Sequence, residues 1–98
     1  MNDKYLLIEV YDREISILLY DSHDEARNDM KAALIEAMGG EDETIFNEYT
    51  KEEEYDWEPD SAWLNHRHSN GDWLIISFTE AQLRSKQAKA MKFVNSTY

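Results

Sequence analysis

Two groups of residues in this 98-residue chain are of types that can do chemistry. His66 and His68 stand two apart in a strand-like run. That spacing projects both imidazoles from one face, an arrangement that can ligate zinc. A complete site needs a third ligand, for which His23, Asp72 and Glu80 are the candidates. The second group is larger. From Glu41 to Asp60, ten carboxylates stand against one lysine, Lys51, with Phe46, Tyr49, Tyr55 and Trp57 threaded among them. One chemistry for such an array is plain solvation: a charged connection whose aromatic residues anchor it in the core. The other is imitation of nucleic-acid phosphates, which lie about one charge per 1.7 Å of duplex axis, so that the array occupies the basic groove of a DNA- or RNA-handling protein. In that reading Glu48, Glu52, Glu53, Glu54, Asp56, Trp57 and Glu58 form the partner-binding surface.

Charge is localised rather than general. The net charge is −11, of which the segment 41–60 holds −9, the first 40 residues −5 and the last 38 residues +3. That balance opposes direct binding to nucleic acid, even though Arg84, Lys86, Lys89 and Lys92 make the C-terminal segment basic. Those cations can instead pair with the acidic run, within one molecule or between copies. Catalysis finds no footing: no glycine-flanked nucleophile, phosphate loop or dinucleotide fingerprint is present. Glu52-Glu53-Glu54 reads as uniformly solvated, not as two acids with separated pKa values. The expectation is a non-enzymatic chain without a cofactor.

Composition sets the class. With 42% hydrophobic and 12% aromatic residues, three glycines and one proline, the chain has core material for one folded domain spanning 1–98. No segment approaches the roughly 18 apolar residues of a membrane span. The start, Met1-Asn2-Asp3-Lys4, lacks the features of a signal peptide. Absence of cysteine excludes disulfides and thiolate metal sites and fits the cytoplasm.

These groups must be positioned by local elements, and two hairpins are signalled. Tyr5 to Tyr11 and Ile15 to Tyr20 flank Asp12-Arg13-Glu14. Pairing Val10 with Ile15, Ile8 with Ile17 and Leu6 with Leu19 makes one wholly apolar face. Ser22 followed by Glu25 forms a capping box. From it runs a helix with Ala26, Met30, Ala33, Leu34 and Ala37 on one stripe, ended by Gly39-Gly40. In the acidic segment the spacing predicts a short helix from near Asp42 with Ile45, Phe46 and Tyr49 on one side. An extended stretch through Tyr55 and Trp57 follows, halted by Pro59. Asn70-Gly71 predicts a two-residue turn that pairs Ser69 with Asp72, His68 with Trp73, His66 with Ile75 and Leu64 with Ser77. Thr79 to Gln82 offers a cap for a C-terminal helix carrying Leu83, Ala90, Met91 and Val94.

The expected architecture is α+β: a roughly four-stranded antiparallel sheet in a ββα-ββα layout, with the Ser22 to Met38 helix on one face and a basic helix and tail over 80–98. Its opening is similar in layout to many small bacterial and phage proteins, a likeness without a diagnostic motif. Tyr5, Leu7, Leu18 and Tyr20 behind the first hairpin, and Trp73 and Ile75 behind the second, are too apolar for a solvent face. The back of the sheet therefore needs a cover: the C-terminal helix, the acidic segment, or a second copy in a two-fold dimer. The functional expectation is an interaction module that presents an acidic surface to a basic partner, at its sharpest a nucleic-acid mimic. The alternatives are a homodimeric accessory protein and a metal-binding protein using His66 and His68.

Overall fold

Five strands form one antiparallel sheet in the computed structural model, which describes residues 3–66 and 69–85. In chain order the elements are β1 (Tyr5–Tyr11), β2 (Glu14–Tyr20), helix α1 (His23–Ala37), a 3-10 turn (Glu43–Glu48), β3 (Tyr55–Trp57), β4 (Ser61–His66) and β5 (Ser69–Ser77), and residues 78–85 are helical. The sheet order is β2-β1-β5-β4-β3, so the two hairpins join through β1 and β5. The class is α+β as expected, with one more strand. The short extended stretch around Tyr55 pairs with β4 and becomes a strand of its own.

The first hairpin has the expected register, Val10 with Ile15, Ile8 with Ile17 and Leu6 with Leu19. Its turn is tighter than the sequence suggested. Glu14 pairs with Tyr11, leaving Asp12 and Arg13 at φ of 52° and 68°, the doubly left-handed geometry that matches strand twist. α1 starts and stops at the signalled residues. The Ser22 hydroxyl accepts from the Glu25 amide at 3.2 Å. At the other end Gly40 N donates to Ile35 O and Gly39 N to Glu36 O, with Gly39 at φ 84°. That pair of bonds is the Schellman arrangement.

The second hairpin is displaced from its expected register. His66 pairs with Ser69, Leu64 with Gly71 and Ala62 with Trp73, so Asn70 and Gly71 lie inside β5. The physical reason is the Trp73 ring: a Cβ on Gly71 would stand 2.5 Å from it and 3.1 Å from the Tyr11 ring. Glycine here makes room for an aromatic side chain within a strand and is not needed for a turn. The displacement preserves the side-chain alternation, so Leu64, His66, Trp73 and Ile75 still share one face.

α1 lies on the opposite face of the sheet from the one expected. Ala26, Met30, Leu34 and Met38 pack against Leu7, Tyr55, Ala62, Leu64, Trp73 and Ile75, with Tyr5, Tyr11 and Tyr20 at the margin. The face that needed a cover is thus the helix face. The first hairpin's all-aliphatic face leaves Val10, Ile15, Ile17 and Leu19 at 40, 71, 61 and 55% exposure. Aromatic side chains decide the choice. Each buries about 150–250 Å², more than an aliphatic residue can, and the aromatics of β3 and β5 share a face with Tyr5, Tyr11 and Tyr20.

The helical residues 78–85 are capped at Ser77, two residues earlier than the Thr79 that the sequence indicated. The Ser77 hydroxyl accepts from Glu80 N at 3.1 Å, and Arg84 pairs with Glu80 at 2.6 Å. Ala90, Met91, Val94, Lys86, Lys89 and Lys92, and with them most of the expected basic helix, lie outside the described residues, as do Arg67 and His68.

Candidate functional site

The acidic segment is held by its aromatics. Asp42 caps the 3-10 turn through Thr44 N at 2.9 Å. The Thr44 hydroxyl and amide together hold the Asp42 carboxyl below its ordinary value. The turn delivers Ile45, Phe46 and Tyr49 to the core. Phe46 stacks on buried Tyr55 with ring centroids 5.1 Å apart, and the Tyr49 hydroxyl donates to Met38 O at 2.9 Å, tying the segment to the end of α1. Between them Glu54 N donates to Thr50 O and Glu52 N to Tyr55 O, with Glu52 at a φ of 70°.

The carboxylates separate into two populations. Some brace the fold. Glu54 accepts from Thr50 N at 3.0 Å and from the His66 ring, and these contacts, the Thr50 amide first, lower its pKa. Asp56 accepts from Trp57 N at 2.8 Å and lies 3.9 Å from the Lys51 ammonium. Asp60 meets His23 at 2.5 Å, and Glu43 pairs with Lys31. Trp57 is also engaged: Arg27 and Lys31 of α1 lie 5.5 and 5.1 Å from its ring centroid, within cation–π range. The other population, Glu41, Glu48, Glu52, Glu53 and Glu58, is exposed and, among the described residues, makes no side-chain hydrogen bond or ion pair.

Of the partner-binding residues expected from sequence, the structure thus leaves Glu48, Glu52, Glu53 and Glu58 turned to solvent. It engages Glu54, Asp56 and Trp57 internally. The supporting cations come from α1, and no local pattern near the acidic run announces Arg27 or Lys31 as its neighbours.

The histidine constellation is divided. His66 sits on the helix face with Nδ1 against Glu54 and its ring 4.6 Å from that of Tyr49. His68 lies outside the described residues. The candidate third ligands are not gathered at His66. His23 pairs with Asp60, Glu80 pairs with Arg84, and Asp72 belongs to the opposite face of the sheet. Among the described residues no group of three or more His, Asp or Glu side chains is placed to hold a metal ion.

One feature escaped the sequence reading. Glu9, a carboxylate inside an apolar strand, accepts from the Trp73 indole N–H at 2.6 Å, and Tyr11 stacks on that indole. Together with Glu36 and Ala37 of α1 they line a surface hollow of about 290 Å³. The only sequence signal was the single acid within Tyr5–Tyr11. No described helix is long and apolar enough to cross a membrane. Comparison with family models, with curated proteins and with solved structures finds no match to this chain.

Proposed function

We propose that this chain is a non-enzymatic protein-interaction module that presents an acidic surface to a basic protein, with imitation of nucleic-acid phosphates as the sharpest form of that role. One observation carries the reading. Glu48, Glu52, Glu53 and Glu58 are exposed on a segment whose backbone is fixed by Phe46, Tyr49, Tyr55 and Trp57 in or against the core. Carboxylates held on a fixed backbone present a shape as well as a charge, which a free acidic tail does not. Their field steers a cationic partner and weakens as salt screens it over about 8 to 10 Å.

The test is capture of source-cell proteins on the immobilised chain at low and high salt. The comparison variant replaces Glu48, Glu52, Glu53 and Glu58 with Gln. The expected captives are basic, released by salt, displaced by duplex DNA, and lost from the variant. Equal capture by the variant refutes the acidic-surface reading. Failure of DNA to displace a captive retained only by the wild type removes the mimic form of it.

A further inference from the structure

We propose that two copies of this chain pair through β2, edge to edge and antiparallel, about a two-fold axis at Ile17. The two edges of the sheet are not alike. β3 has three residues, carries Asp56, is bridged to Lys51 and runs into Pro59, all devices that discourage a further strand. β2 has seven residues and none of these devices between Ile15 and Tyr20. Ile15, Ile17 and Leu19 are 71, 61 and 55% exposed on one face of this edge, and Leu18 is 51% exposed on the other.

Hydrogen-bond direction identifies which backbone groups of β2 face outward without a partner among the described residues. Phe78 N donates to Lys4 O at 2.7 Å, which points the even residues of β1 toward β5. By alternation its odd residues point toward β2, and their partners Glu14, Ser16, Leu18 and Tyr20 point back. The backbone groups of Ile15, Ile17 and Leu19 therefore face away from the sheet. With the axis at Ile17, that residue exchanges both hydrogen bonds with Ile17 of the second copy. Ile15 does the same with Leu19 of the second copy, and the whole of Glu14–Tyr20 overlaps itself.

Charge agrees with this register. Glu14 falls opposite Tyr20 of the second copy, and Arg13 at the turn comes to the strand end where Asp21 of the second copy stands, a carboxylate paired with Lys4 of its own chain at 2.9 Å and still 80% exposed to a further cation. Moving the axis to Ser16 or Leu18 shortens the overlap and leaves Arg13 opposite Leu19 or His23 instead. The interface uses none of the exposed carboxylates of residues 41–60, so it stands or falls independently of the partner proposed above.

Light scattering of the full chain up to about 200 μM, where a micromolar dissociation constant would fill the dimer, should give twice the 11.6 kDa chain mass. The amides of Ile15, Ile17 and Leu19 should gain exchange protection as concentration rises. Ile17→Pro removes an outward N–H and spares the β1 ladder, so it should give a folded monomer. Arg13→Glu should weaken the dimer roughly tenfold, and Arg13→Glu with Asp21→Arg should restore it. The exchange data and the charge swap decide the matter even if the proline variant fails to fold. A monomer at the highest concentration, a dimer indifferent to both changes, or a dimer without protection at these amides overturns the proposal.

Discussion

Glu54 shows how little of a residue's role its neighbours in sequence disclose. In a run of three glutamates it is the one turned inward, where Thr50 N and the His66 ring hold its carboxylate. Glu52 and Glu53 stay exposed. Its pKa is lowered from the ordinary 4.5, so the charged form is favoured by folding. The stability it contributes is present above the ordinary value and is lost as pH falls through the lowered one. Glu54→Gln should therefore be less stable than the parent in urea unfolding at neutral pH, and the difference should close in acid. A difference that persists unchanged in acid would show that the carboxylate's charge is not what His66 and Thr50 recognise. Tyr20 titrates with the opposite sense. Burial first, then its hydrogen bond to Asp29 and the charges of Asp29 and Glu9, push its hydroxyl up to about 12. Its neutral form thus supports the fold until strongly alkaline pH.

At the scale of elements, two glycines do different work, and substitution separates them. Gly39 ends α1 at φ 84° with nothing within 4 Å of an added Cβ. Gly39→Ala should then cost about 1 kcal/mol, from the left-handed backbone alone. Gly71 has no positive φ; an added Cβ would meet the Trp73 ring at 2.5 Å, and that tryptophan is 2% exposed. Gly71→Ala should cost about 1–3 kcal/mol through overpacking, and the smaller ring in Gly71→Ala with Trp73→Phe should reduce the part due to the clash. Chemical denaturation of the three variants checks both values; equal costs at the two glycines would contradict the assignment. The same contact explains why the Asn70-Gly71 turn signal misled. A dipeptide rule weighs only the backbone, whereas here a ring two residues away requires the missing side chain.

The whole molecule carries −11, concentrated on one segment, and its ion pairs are mostly at the surface. Exposed pairs contribute little to stability, so like-charge repulsion should dominate the response to salt. Raising NaCl from about 0.1 to 1 M shortens the screening length from about 10 to 3 Å. The melting temperature should rise by a few degrees, on the order of 1 kcal/mol for a chain of this size. A fall on adding salt would mean that attractive pairs outweigh repulsion.

Sequence alone determined the features governed by short-range stereochemistry and alternation. These are the first hairpin's register, both ends of α1, the faces shared by Leu64, His66, Trp73 and Ile75, and the location of the charge. Tertiary structure decided which apolar face α1 covers, because both faces of β1 and β2 are apolar and the aromatics of distant β3 and β5 favoured one. It also decided which of the clustered acids are spent on His66, His23, Lys31 and Lys51, since those partners lie on other elements or across a turn. The cause in both cases is the same: these outcomes depend on contacts between residues far apart in the chain, and periodicity carries no record of them.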